Sequence, residues 1–299
     1  MPSLYDDEVS IIKKFEENLL NAWSQKGFDL GLFPDLSAEL LKETHFPDPM
    51  LLLQESLFDM PFRSQNHSRG VFADLPFTLV KNEHFSIDLF VWLHAHTSIH
   101  DHPFVGAFKI LHGSSRHLEY DFNHLEELES WLLKGELVVR NDEMIQKDHV
   151  QKVTLGHSYI HQVLHLDRPS VTLIVKSNRV RDFFDYIYPK YAWVDVRPHE
   201  DAYKKMSLVS SYFQFHYDSD SKNCQLLLEK TFEQLSAKDL FLMSYNYKPL
   251  YPSSKFEEAL ERLFSQDLKR FHWYNDVCQE RVKHLNYINE MSSLMRKVP

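Results

Sequence analysis

Glycine is nearly missing from this chain. There are 7 in 299 residues, where average usage of roughly 7% would supply about three times as many. The glycine-rich phosphate loops of nucleotide-binding folds have no material here, and neither G-x-G-x-x-G nor G-x-x-x-x-G-K-[ST] occurs. Cysteine is rarer still. Cys224 and Cys278 are too few for a disulfide framework and lack the C-x-x-C spacing of a zinc or redox motif. No run of 18 apolar residues exists, so no membrane-spanning segment is expected. The opening MPSLYDDEVSIIKKF is acidic and amphipathic, unlike a basic segment followed by an apolar one. No secretory leader is therefore expected, and a reducing, cytoplasmic setting is. Blocks of Lys and Arg are also lacking, and the formal net charge is -10, which disfavours DNA or RNA as a partner.

What the chain does have is core material. Hydrophobic residues make up 43% and charged ones 25%, with Phe 22 and Tyr 14; such a composition fills a core rather than remaining disordered. The length admits one large domain or two modest ones. Histidine is abundant at 18 residues, and these cluster between His94 and His165.

Ile11, Ile12, Phe15, Leu19, Leu20 and Trp23 recur at helical spacing and predict an amphipathic helix. A second short helix is expected from Ser37 as N-cap. Beyond Gly70 the pattern changes to short runs rich in Val, Ile, Phe, Thr and Leu between turn residues. These are Phe85 to Leu93, Gly106 to Leu111, His117 to Phe122, Glu136 to Arg140, Val150 to Leu155 and Ser170 to Lys176. Many short strands at such spacing predict a barrel or sandwich. Leu125, Leu128 and Leu132 share one helical face and predict a helix over 124–133. Past Pro198 helical spacing returns, in Leu226, Leu227, Lys230, Phe232 and Leu235 and again from Phe256 to Phe264, with Leu268, Phe271 and Trp273 beyond. The expected organisation is a helical extension over 1–69, a β-barrel over 70–198 and a helical region over 199–299.

The histidines carry the chemistry. In W-L-H-A-H-T-S-I-H-D-H, from Trp92 to His102, the pair His100 and His102 stands at i, i+2 and projects from one face of a strand. His94 and His96 have the same spacing, but Thr97 and Ser98 between the pairs read as a turn, so only one pair need line a site. His161, in G-H-S-Y-I-H-Q-V-L-H from Gly156 to His165, would add a third nitrogen from a distant strand. Three imidazoles on one ion leave positions for other ligands, and this donor type suits Fe, Zn, Ni and Cu alike. His157 and His161 lack the glutamate of H-E-x-x-H. Tyr159 and His165 share the strand parity of His161, so either could serve beside it as a hydrogen-bond donor or acid–base group. The competing reading is a packed tyrosine and a surface histidine. His112 and His117, beside the Gly113 turn, read as solvent-facing, and Asp101 alternates away from the ligands to support the strand end.

The run S-I-H-D-H at Ser98 to His102, followed by F-K-I-L-H-G at Phe108 to Gly113, resembles the first cupin motif of the cysteine dioxygenase family. The stretch Ile160-His161-Gln162-Val163, followed by Pro169 to Leu173, resembles the second. The likeness spans roughly residues 77–177. It implies a mainly β, cupin-type double-stranded β-helix barrel with α-helical N- and C-terminal extensions. It also implies metal ligation by His100, His102 and His161. The cofactor it implies is Fe(II), with Zn, Ni, Mn or Cu as alternatives, and the activity is oxidation of a small molecule, a thiol in that family, with O2. The acidic ligand of ordinary cupins falls near Gly106, which cannot coordinate.

The chain also departs from the family. The crosslinking cysteine position is Ala107, and the serine-histidine-tyrosine strand aligns with Thr172, Ile174 and Lys176. The substrate-clamping arginine falls near Leu79, with Arg63 or Arg69 as other sources of a guanidinium; without one, free cysteine is disfavoured as substrate. Two other functions remain open: a metal-binding cupin with non-oxygenase chemistry, and a non-catalytic cupin that senses a ligand or binds a protein. The helical ends are expected to cap barrel edges or to form a homodimer interface.

Overall fold

Strand pleating decides which residues reach the site. The computed structural model describes residues 5–52, 73–93, 97–194, 230, 236, 261–262 and 264–295. Two helices, α1 (Tyr5–Ser24) and α2 (Phe33–Glu43), precede eleven strands. These are β1 (Leu75–Lys81), β2 (Phe85–Trp92), β3 (Ile99–His100), β4 (Gly106–His112), β5 (Ser114–Glu129), β6 (Leu132–Gln146), β7 (Val150–Val153), β8 (Ile160–His165), β9 (Ser170–Ser177), β10 (Phe184–Ile187) and β11 (Tyr191–Val194). A helix, Leu268–Met295, follows. No helix of the described residues is long and apolar enough to cross a membrane.

The strands form a five-stranded sheet in the order β1-β2-β9-β4-β7 and a closed barrel sheet in the order β10-β11-β6-β5-β8-β3. Eight consecutive strands, β2 to β9, thus divide as 2-9-4-7 and 3-8-5-6. That order is two interlocked Greek keys, the double-stranded β-helix of a jelly roll. The mainly β expectation holds, with its strands close to where the alternation placed them.

Two compact units are present. The first comprises Met1–Leu125, Gly135–Tyr186 and Ala192–Asp195. In it, Phe85, Ile87, Leu89 and Val91 of β2 pack with Val171, Leu173 and Val175 of β9 and Ala107 of β4. Against them lie Ile12, Phe15, Leu19 and Trp23 of α1 and Phe33, Ala38 and Leu41 of α2. Each Val, Leu, Ile or Phe side chain among them removed from water contributes about 1.5–3 kcal/mol. The alternate positions form a separate inner cluster of Phe108, Ile110, Ile145, Val153, Tyr159 and Ile174, with Phe90 and Phe104 against it. Lys109 is buried beneath α2, where its Nζ donates to the carbonyls of Leu41 and Thr44, both at 3.1 Å. A cation there satisfies helix-end acceptors and matches the helix dipole.

The second unit comprises Glu126–Lys134, Ile187–Tyr191 and Val196–Pro299. In it Tyr191 donates to Asp276 at 2.5 Å, Arg270 pairs with Glu129, and Phe264 stacks on Tyr274 at 4.7 Å. The helical pattern expected at 226–235 and most of that at 256–264 lie outside the described residues.

Two local expectations are corrected. Residues 124–133 are not helical: β5 and β6 run through them and turn at Ser130-Trp131. Leu125 is 72% exposed while Leu128 and Leu132 are buried, as strand pairing requires of positions on opposite faces. Ser37 is not an N-cap. The helix begins at Phe33 with Pro34 in its first turn, where a missing N–H costs nothing, and the Ser37 hydroxyl donates back to the Phe33 carbonyl at 2.7 Å.

Candidate metal centre

His100 lies on the shortest strand, paired on one side with Asp185 of β10 and on the other with His161 of β8. The chain continues extended past it. The Asp101 N–H donates to the Phe184 carbonyl at 3.0 Å, and the His102 carbonyl accepts from Gly156 at 3.0 Å. His100 and His102 therefore keep the i, i+2 relation that puts both rings on one face. Across from them stands His161. Its Nε2 lies 3.0 Å from His102 Nε2 and 3.2 Å from His100 Nε2, and all three residues are buried.

This spacing is that of ligands. Two nitrogens at about 2.0–2.1 Å from one ion and at right angles to each other stand roughly 3.0 Å apart. The ring tautomers agree. His100 Nδ1 donates to the Ser98 carbonyl at 2.8 Å, which leaves its Nε2 lone pair pointing inward. His161 Nδ1 faces His117 Nε2 at 3.1 Å. His102 Nδ1 has no hydrogen-bond partner among the described residues. Burial holds His102 and His161 well below the ordinary histidine value of 6.5, and the neighbouring imidazoles add to the effect. Both rings are thus neutral near pH 7, the form that ligates metal. The three donors fit a divalent cation.

A fourth ligand is excluded at Gly106. A Cβ there would lie 1.9 Å from the Val175 carbonyl oxygen, so no acidic side chain can occupy this position.

His117 was read from the sequence as solvent-facing, and the structure corrects that. It is fully buried on β5, with Nε2 at 3.1 Å from His161 Nδ1 and 3.1 Å from the Tyr159 hydroxyl. The signal lay in the alternation of Ser115, His117 and Glu119, which share one buried face. Glu143 Oε1 stands 3.7 Å from His117 Nδ1. Glu119 is held instead by Arg140 at 2.6 Å and Gln151 at 3.3 Å. His112 is exposed, as expected.

Tyr159 is buried with its ring 4.7 Å from that of His161 and stacked at 5.7 Å on His102. Burial raises its hydroxyl well above the ordinary 10.0, so it stays protonated. His165 is buried elsewhere in the inner face. Its Nδ1 meets Ser170 Oγ at 2.7 Å and Ser115 Oγ at 3.1 Å, and its ring stacks on Trp92 at 4.4 Å. The structure thus brings Tyr159 to the three imidazoles and gives His165 a setting among two serines and a tryptophan. Asp101 supports the strand end: it accepts from the Phe184 N–H at 2.7 Å and the Tyr186 hydroxyl at 3.3 Å. His94, His96, Arg63 and Arg69 lie outside the described residues. Leu79, at the position of the substrate-clamping arginine, packs against the outer core beneath the helices.

No protein-family model and no curated protein matches the chain. Among solved structures, it is similar to a cupin superfamily protein from Desulfitobacterium hafniense (14% identity, 34% of this chain and 75% of that one, TM-score 0.24). It is also similar to hydroquinone 1,2-dioxygenase from Sphingomonas sp. TTNP3 (8%, 38% and 70%, TM-score 0.28) and to oxalate decarboxylase from Bacillus subtilis (12%, 39% and 33%, TM-score 0.24). The strand order makes the barrel a double-stranded β-helix. In this barrel, His100 and His102 come from the segment between β2 and β4, and His161 from the strand that pairs with it.

Proposed function

We propose that the chain is a non-haem Fe(II)-dependent oxygenase that oxidises a small molecule with O2 at His100, His102 and His161. The observation that carries this reading is the convergence of three Nε2 atoms, two of the separations being 3.0 and 3.2 Å, without a carboxylate ligand. A divalent ion held there would supply a Lewis-acidic, redox-capable centre with positions left for O2 and substrate.

The chain's own residues set that centre up. The Ser98 carbonyl fixes the His100 ring, and His117 fixes that of His161; partners of this kind orient a ligand and select its tautomer. The Tyr159 hydroxyl lies 3.1 Å from His117 Nε2 and keeps its proton, so it does not serve as a base. Phe108, with the half-buried Phe90 and Phe104 against it, gives the inner cluster an aromatic lining.

One observation favours a second reading, a metal-dependent cupin with non-oxygenase chemistry. Where the cysteine dioxygenase-like motif would place a tyrosine, β9 carries Lys176 in an ion pair with Asp88. Oxygen-electrode assays separate the two. The oxygenase reading expects Fe(II)-dependent O2 uptake with a thiol or small organic acid, lost in His100→Ala. Turnover of the same substrates under strict anaerobiosis would overturn it in favour of the second reading.

A further inference from the structure

We propose that Asp88 and Lys176 form the recognition site for a small hydroxycarboxylate, with Lys176 gripping the carboxylate and Asp88 accepting from the hydroxyl. The inference rests on the metal reading only in placing the reacting end of that ligand at the three imidazoles.

Asp88 and Lys176 sit on neighbouring strands, β2 and β9, at positions of the same parity as Phe90 and Ile174. Both of those belong to the inner cluster with Tyr159, so the pair faces the barrel interior. The Lys176 ammonium lies 5.8 Å from the Phe90 ring and 5.9 Å from the Phe104 ring, and Phe104 is 4.9 Å from the His102 ring. The cation thus stands one aromatic ring away from the metal ligands.

The pair is not saturated. Asp88 is 3% exposed, and its Oδ2 pairs with Lys176, while its Oδ1 is buried with no hydrogen-bond partner among the described residues. A buried carboxylate oxygen left without a donor costs desolvation energy that a ligand's O–H would recover. Lys176 carries three N–H donors and gives one to Asp88. The site therefore offers cationic donors beside an open acceptor.

Charge chooses the ligand. Three neutral imidazoles compensate none of the charge on a divalent ion, and the Asp88–Lys176 pair is neutral overall. An anionic ligand is therefore favoured. A hydroxyl suits Asp88 better than an ammonium, which would set a second cation on a carboxylate already shared with Lys176.

The test is calorimetric titration of the full chain, metal-free and zinc-loaded, with glycolate and with acetate. Zinc is redox-inert, so binding is read without turnover. Glycolate should bind tighter than acetate. Lys176→Gln should weaken both by about tenfold or more, the loss of a charge-assisted bond, and Asp88→Asn should abolish the preference for glycolate. The double variant Asp88→Asn/Lys176→Gln leaves no lone buried charge. It should fold, keep the zinc stoichiometry of the wild type and show no preference, which covers the case in which a single variant fails to fold. Glycolate binding in that double variant equal to the wild type would overturn the inference while leaving the metal reading intact. Loss of zinc binding in the wild type itself would sink the metal reading, and the metal-free titrations would still decide this one.

Discussion

Replacing Asp101 by asparagine should change how the metal-free protein responds to acid. Burial pushes the Asp101 carboxyl up to about 7 from 3.8, against the pull of the Phe184 N–H and of Arg181. The native state therefore holds this proton more tightly than the unfolded chain. The resulting stability is complete below 3.8 and is lost as pH rises through about 7. Acidifying from about pH 8 to about pH 5.5 should gain about 2 kcal/mol from this group. His102 and His161 act in the opposite sense. Burial holds both well below 6.5, so the unfolded chain takes up protons that the native state refuses, and stability falls as pH drops through that value. Their contribution is common to both proteins, so between these pH values Asp101→Asn should lose about 2 kcal/mol more stability than the chelated wild type. Urea unfolding followed by tryptophan fluorescence at both pH values measures this. Parallel pH profiles for the two proteins would refute the assignment of a raised carboxyl at Asp101.

Three further outcomes are expected. Gly106→Ala should cost more than about 4 kcal/mol or prevent folding, because its Cβ would stand 1.9 Å from the Val175 oxygen; soluble yield and the urea midpoint report it. His117→Phe keeps an aromatic ring but removes the nitrogen facing His161 and Tyr159. It should lower metal affinity by about 10–100-fold in a chelator competition, with circular dichroism unchanged. Leu132→Ala should cost about 2–5 kcal/mol, since the residue is 0% exposed, whereas Leu125→Ala, at 72% exposure, should stay within about 0.5 kcal/mol; a helix burying both on one face would give similar losses.

Strands β2, β4, β5, β6, β7 and β9 were legible because their apolar runs were bounded by turn residues, and α1 because its apolar face repeats over six positions; β1, β10 and β11 were not among the runs named. Residues 124–133 misled for a specific reason. Three leucines at helical spacing happen to fall within a hairpin whose turn, Ser130-Trp131, has neither glycine nor asparagine to announce it. Ser37 misled because a serine one turn into a helix resembles a cap until its hydroxyl is seen to bond backwards. At the site, i, i+2 spacing was enough to pair His100 with His102. His161 could be offered as a third nitrogen from a distant strand, and the family resemblance assigned it as a ligand, but no local pattern encodes the pairing of β3 with β8 that brings it there. His117 was missed because it sits beside a turn, and only the strand continuing from Ser114 puts it inside. The Asp88–Lys176 pair had no signal at all: its partners stand 88 positions apart in sequence and meet only through the β2–β9 ladder.

Metal analysis of the purified chain, wild type beside His161→Ala, tests the central claim most directly. Three buried imidazoles sharing one ion predict close to one equivalent of divalent metal in the wild type and almost none in the variant, with both chains folded. Equal metal content in the two, or a wild type that takes up no metal when Fe(II) or Zn(II) is offered, would contradict it.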